Sequence, residues 1–388
     1  TALALTRRIA GAHRQGDGGP VFLGSNSLGV ISHPGRYDTL FIPEEKLPKQ
    51  RGDRRRTAAF VSQSGAFMIT RLSKRPYLDP AYLVSVGNQT DLTLGDLVGY
   101  LKDRPELTTL AVYAEGFKDL DGLAFVRAVR QAVVNGKDVV FYKAGRTPEG
   151  KSATSGHTAS LAGDYMVCES CVRQAGAMVA QTFTQFDGLF LLSERLHAKK
   201  VRGNRIAAIS SAGYEAVGMA DRIQSDDYAM QMAALGPATV EAIREVLRRK
   251  RLDALVNVTN PLDFNPGADD DVHVEVAEIL SRDPGVDAIV VGIVPLGPAT
   301  RTLPPPSPFA FTAPESMVQR LPSLVARSEK PIVAVVDSGR LFDPVVAHLE
   351  AEAVPVFRSS DLALAALGRY IAGRLAAEHL RLRGGLEG

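Results

Sequence analysis

Residues 145–163, "GRTPEGKSATSGHTASLAG", hold two phosphate chemistries in one stretch. Gly145 to Ser152 satisfies G-x-x-x-x-G-K-[ST], the pattern in which backbone amides and a lysine cradle a nucleotide. Five residues further on, His157 stands in a run of small residues. An accessible imidazole is largely neutral and nucleophilic near pH 7 and can accept a phosphoryl group. Its reactive nitrogen is set by whatever holds the other one, preferably a carboxylate. Glu115 closes the apolar run "TLAVYAEG" beside a glycine, where open α/β sheets place their ligands, and is the candidate partner. A nucleotide cradle should open directly into a helix carrying Lys151 and Ser152. The Gly/Ser/Thr-rich sequence after Ser152 has no apolar periodicity before Leu161 and predicts no helix there. Asp337, a possible magnesium partner for such a cradle, lies in a different predicted domain.

The elements that must position these groups follow an alternation of apolar and amphipathic runs, the rhythm of parallel α/β units. Strands are predicted at 57–62, 81–87, 109–116, 138–145 and 177–181, and in a second block at 205–210, 287–294, 331–338 and 354–357. These make two doubly wound domains in series, 51–200 and 201–388. Residues 1–50 offer one helix and one or two strands, too little for a core, and read as the tail of a larger domain. Residues 294–316, rich in proline, read as a long mobile loop or lid.

Both blocks open alike. "TAAFVSQSGAFMITRL" and "NRIAAISSAGYEAVGMADRI" each run from strand through a Ser/Gly turn into a helix start. The unpaired amides and positive dipole end of such a start attract anions, so Ser62, Gln63, Ser64 and Gly65, and then Ser211, Ala212 and Gly213, are candidate phosphate ligands. Ordinary serine capping is the blander reading of either turn alone; their repetition favours anion binding.

Composition narrows the class. The 388 residues are 45% hydrophobic and 23% charged, and Lys plus Arg exceed Asp plus Glu by only 45 to 43, so no global field argues for nucleic acid. The basic run Arg54-Arg55-Arg56 reads as a solvated linker. No apolar stretch approaches the ~18 residues of a membrane span, and a cytoplasmic location is expected. Cys168 and Cys171, without a second Cys or His pair nearby, read as buried helix cysteines in preference to a redox pair, and not as a zinc site.

Taken in order, "GSNSLGV", "SQSGAF", "GNQTDL", "YAEGFKD", "KAGRTPEGKSATSGHTASLAG", "SSAGYEA" and "NPLDF" resemble the motifs of the NDP-forming acyl-CoA synthetases, the superfamily of succinyl-CoA synthetase. The resemblance implies the C-terminal remnant of a Rossmann-like CoA-binding domain followed by two flavodoxin-like domains. It implies a ligase interconverting acyl-CoA, phosphate and ADP with a carboxylic acid, CoA and ATP. His157 would be the phosphorylated residue on a swinging loop and Glu115 its partner, with phosphate between the two helix starts and Asn26, Ser27 and Gly29 near CoA and the acyl group. The cofactors implied are CoA and magnesium ADP or ATP, the nucleotide held by an ATP-grasp domain or subunit outside this chain, within a homo- or hetero-oligomer. Ser25 and Ser27 stand where the family has Pro and Cys, and Tyr214 and Glu215 replace small residues in the second cradle, where a carboxylate facing the anion would repel it. A weakened CoA- or acyl-CoA-binding regulatory module and a P-loop NTPase are the alternatives.

Overall fold

The computed structural model describes residues 2–15, 20–49, 52, 54–157 and 164–384. The chain divides into two compact units, residues 1–194 with 376–388, and residues 195–375.

The first unit contains α1 (Ala2–Gln15), β1 (Val30–Ser32), β2 (Tyr37–Asp38), β3 (Ala58–Ser62), α2 (Gly65–Lys74), β4 (Tyr82–Ser85), α3 (Leu94–Leu101), β5 (Thr109–Ala114), α4 (Asp121–Val134), β6 (Asp138–Lys143), α5 (Pro148–His157), α6 (Tyr165–Gln174), β7 (Met178–Ala180) and most of α7 (Phe183–Leu196). Its sheet runs β2-β1-β4-β3-β5-β6-β7. From β4 onward that order is the flavodoxin-like 2-1-3-4-5. All five residues of β3 and all six of β5 are buried, as a sheet covered on both faces requires. Val61, Val112, Phe125 and Phe141 pack on one face, while Phe60 meets Phe186 and Phe190 with ring centroids 5.6 and 5.5 Å apart. Residues 20–29 are irregular; β1 and β2 follow them and extend the sheet antiparallel from β4. Parallel register aligns Ser62 with Ser85 and Tyr113, and Ala114 with Lys143, so the carboxyl ends of four strands lie in a row.

The second unit contains β8 (Arg205–Ser210), α8 (Gly213–Asp221), the hairpin β9 (Gln224–Ser225) and β10 (Tyr228–Ala229), β11 (Gln231–Met232), α9 (Pro237–Arg249), β12 (Leu262–Asp263), α10 (Asp270–Arg282), β13 (Ala288–Gly292), α11 (Met317–Arg327), β14 (Ile332–Val335), α12 (Asp343–Ala351), β15 (Val356–Phe357) and most of α13 (Ser360–Gly384). Its order, β11-β8-β13-β14-β15, repeats 2-1-3-4-5. The short β9 to β12 are too brief and polar to show in sequence. β11 pairs with the beginning of β8 and β12 with its end. Between them Asn260 completes the ladder: its carbonyl accepts from Ala208 N at 3.0 Å and its amide donates to the Ile206 and Ala233 carbonyls at 2.8 and 3.0 Å. "NPLDF" is thus a brace and a strand as well as a loop.

Residues 294–316 are irregular, as anticipated, but they are tied down. Buried Asp270 accepts from Arg301 N at 3.0 Å and Met317 N at 2.8 Å, and Ser316 Oγ donates to the Arg301 carbonyl at 2.8 Å. A lid would need looser ends than these. Among the described residues no helix is long and apolar enough to cross a membrane.

Candidate active site

In the first unit the chain leaves β3 for β4 on one side of the sheet and later reaches β5 on the other. This is the switch point outside whose carboxyl ends ligands bind in open α/β sheets. The turn after β3 carries Gln63 and Ser64, and the turn after β5 carries Glu115. Both line one cavity of about 620 Å³, with Gly65 and Ala66 of α2, Asn26 and Ser27, and Ala153 of α5.

The turn after β3 is built from its own serines. Ser62 Oγ donates to the Ser64 carbonyl at 2.6 Å, and Ser64 caps α2 by accepting from Phe67 N at 3.3 Å. At any helix start the leading amides have no intrahelical acceptor, so those of Gly65 and Ala66 are donors for a ligand. Gln63 adds a second, independent sign. Its Oε1 accepts from both Glu115 N at 2.8 Å and Gly116 N at 3.1 Å, which fixes the orientation of the amide. Nε2 is consequently turned away, buried and without an acceptor among the described residues, on a residue only 3% exposed. An orphaned donor beside a helix start fits an anion there.

Glu115 is held from several sides. Lys143, 2% exposed at the end of β6, donates to the Glu115 carbonyl at 2.8 Å and to the Ala144 carbonyl at 2.7 Å. Burial pulls its ammonium below the ordinary lysine value, against the opposing influence of Cys168 and Glu115. The Tyr113 hydroxyl reaches Glu115 Oε1 at 3.4 Å, and its ring stacks on Phe67 with centroids 4.1 Å apart. Gln89, buried in "GNQTDL", donates to the Gly116 carbonyl at 2.9 Å and accepts from Leu94 N at 3.0 Å. Sequence reading singled out Glu115 but missed Lys143, Tyr113 and the brace made by Gln89. A lysine within an otherwise apolar strand was the available signal for the first of these.

The segment 24–29 is pinned to β4. Ser27 Oγ donates to the Ser85 carbonyl at 2.6 Å and accepts from Gly29 N at 3.0 Å, so this hydroxyl is engaged with the backbone. Gly29, with φ +116°, lies so close to Thr39 that a Cβ would come within 2.4 Å of its carbonyl oxygen; it serves that approach and does not line the cavity. Asn26 does line it.

A helix does begin inside the P-loop-like stretch, contrary to the sequence expectation. Pro148 sits at the first position of α5, where its missing N–H costs nothing, and helix formation continues through Lys151 and Ser152 to His157. The same helix disqualifies the cradle. Gly150 N donates to Thr147 Oγ1 at 3.1 Å and Lys151 N to the Thr147 carbonyl at 2.8 Å, so these amides are consumed by the helix's own cap. His157 closes α5; its side chain and residues 158–163 lie outside the described residues. Cys168 and Cys171 are half-buried free thiols on α6, and burial pushes that of Cys168 up to about 11, which leaves it unreactive.

The second cradle differs. Ser210 Oγ accepts from Ala212 N at 3.1 Å and donates to Glu215 Oε2 at 2.6 Å. Glu215 therefore turns inward, 1% exposed, and a Cβ on Gly292 would come within 2.0 Å of its carboxylate. It does not project from the turn toward an anion. Burial first, and then the charge of Asp337, lift its pKa to about 7. Ser211 Oγ is buried without a partner, and Gly213 lies against the Asp263 carboxylate. This start is more acidic than that of α2.

Residues 55–192 match the family model described as the succinyl-CoA ligase like flavodoxin domain. Over 350 residues the chain is 29% identical to the alpha subunit of ADP-forming acetate–CoA ligase II of Pyrococcus furiosus, a match covering 89% of this chain and 69% of that one. Residues 55–192 thus carry that domain, and the chain as a whole is similar to ADP-forming acetate–CoA ligases. Another relative, ADP-forming acetate–CoA ligase I of Archaeoglobus fulgidus, is 30% identical over 71% of the chain, which spans 38% of its length. The fold is similar to that of an acetyl-coenzyme A synthetase from Candidatus Korarchaeum cryptofilum, solved with phosphate and ADP: TM-score 0.78 and 21% identity, over 99% of this chain and 75% of that one.

Proposed function

We propose that this chain is the CoA-ligase part of an acyl-CoA synthetase that interconverts acyl-CoA, phosphate and ADP with a carboxylic acid, CoA and ATP. The observation that carries the reading is the shared cavity. Gln63, Gly65 and Ala66, with Glu115 and Ala153 of the helix leading to His157, all line it. Phosphate held by these donors attacks the thioester carbonyl of acyl-CoA, and CoA leaves. A ring nitrogen of His157 then forms an N–P bond as the O–P bond of the acyl phosphate breaks, releasing the carboxylate. Glu115 orients the imidazole and balances its developing positive charge. A terminal oxygen of ADP takes the phosphoryl group as the N–P bond breaks. Magnesium nucleotide would be bound by an ATP-grasp domain or subunit, and Asn26, which lines the same cavity, would lie near the thioester.

The test is chemical. Full-length protein, incubated with its nucleotide-binding partner, ATP and magnesium, should acquire an acid-labile, base-stable phosphoryl group that is absent from His157→Asn. Acid-stable label, or label persisting in His157→Asn, would overturn the phosphohistidine step. The acidic surroundings of the second cradle favour one other reading, a regulatory module of the same fold. Retained CoA binding without any phosphorylation would select it.

A further inference from the structure

The cavity has a second face that the phosphate chemistry leaves unused. Besides Gln63, Ser64 and Glu115, the cavity is lined by Leu28, Phe41 and Ile69. Leu28 lies directly on the helix start: a Cβ built on Gly65 would come within 2.3 Å of Leu28 Cγ. Its isobutyl group thus takes the place that a side chain at the first helical position would fill. The backbone beneath it is fixed, because Leu28 N donates to Ser85 Oγ at 3.0 Å and its neighbours are fastened through Ser27 Oγ. Ile69 stands four residues beyond Gly65, on the same face of α2. Phe41 extends the apolar surface at the rim, 69% exposed.

An acid whose carboxylate sits on the Gly65 and Ala66 amides must lay its α- and β-carbons along this wall. A lone methyl would touch little of it. The cavity volume of about 620 Å³ lies inside the ~300–1,000 Å³ range of sites that enclose drug-sized ligands. We infer that Leu28 and Ile69, with Phe41 at the rim, form an acyl-selecting wall, and that the acid taken by this site carries a branched or longer apolar body, not a two-carbon one. This rests on the cavity being the phosphate and acid site described above.

The probes are sodium acetate, sodium isovalerate and inorganic phosphate, titrated separately into the full-length protein and followed by saturation-transfer and phosphorus NMR. Isovalerate should bind at least about tenfold tighter than acetate, since a single methylene in an apolar pocket discriminates by roughly 10–200-fold, and it should compete with phosphate. Leu28→Ala and Ile69→Ala should each shrink that ratio while phosphate still binds, which also shows that each variant is folded. Equal affinities for the two acids, or a ratio unchanged in both variants, with phosphate binding intact, would overturn the acyl wall and leave the anion site standing. Failure of wild-type protein to bind either phosphate or acid would overturn the underlying reading and this inference with it.

Discussion

Glu115 and Gln63 make separable demands on the site. Glu115 is expected to act on the imidazole and contributes little to the core, so Glu115→Gln should slow phosphoryl transfer by about 10²-fold or more at an unchanged denaturation midpoint. Parallel turnover and urea-unfolding measurements check this, and wild-type turnover would remove the residue from the site. Gln63 works with both ends of its amide. Its oxygen serves two buried N–H groups, and its nitrogen has no acceptor among the described residues. Gln63→Leu should therefore destabilise the protein by roughly 1–3 kcal/mol for each donor left unsatisfied. Gln63→Glu keeps the acceptor and replaces the donor, so it should spare folding at pH 8 and weaken phosphate binding. Calorimetric titration with phosphate separates the two variants.

At the scale of elements, two carboxyl edges of similar topology have acquired different electrostatics. In the first unit the buried ammonium of Lys143 ties the end of β5 to the end of β6. Lys143→Met should lower stability by about 1–3 kcal/mol through the unpaired carbonyls, and should slow phosphoryl transfer because Glu115 loses its anchor. Lys143→Arg, which keeps the charge, should recover part of the rate. In the second unit Glu215 makes stability depend on pH. Its folded pKa of about 7 lies above the ordinary value of 4.5, so between these values the folded protein keeps a proton that the unfolded chain has released. Its contribution is intact below pH 4.5 and is lost as pH rises toward and through 7. Glu215→Gln removes this dependence. It should be more stable than wild type by roughly 3 kcal/mol at most at pH 8.5, with most of the gap closed at pH 5. Denaturant unfolding at the two pH values measures this, and an equal gap at both would place the carboxylate in water.

For the whole molecule, the two phosphate chemistries of residues 145–163 lead to opposite expectations. Lys151 lies on the exposed first half of α5, and the neighbouring amides are committed to the helix cap. Lys151→Ala should keep most phosphoryl transfer, and this chain alone should bind no ATP tightly. Equilibrium dialysis with labelled ATP tests it, and tight binding that depends on Lys151 would restore the nucleotide cradle. Much of the architecture was legible beforehand, because a buried parallel strand is a short apolar run such as "AAFVS" or "TLAVYA", and a serine followed by glycine marks the helix start after it. The ordered series of motifs likewise carried the resemblance to acyl-CoA synthetases. Other features depended on neighbours remote in sequence. The helix α5 was missed because its sequence has no apolar stripe, and its beginning is written in Thr147 and Pro148. The two-residue strands β11 and β12 exist only because Asn260 and the edge of β8 supply their partners. Whether Glu215 would repel an anion or bury itself turned on Gly292 and Ser210, which meet it through the sheet. Sequence alone determined the alternation of elements and the residue types at the strand ends, since these follow from local periodicity and turn chemistry. Tertiary structure decided which polar atoms remain unpaired, as at Gln63, and which apolar side chains, Leu28 among them, stand beside the anion donors, because both depend on groups brought together by the register of β3, β4 and β5.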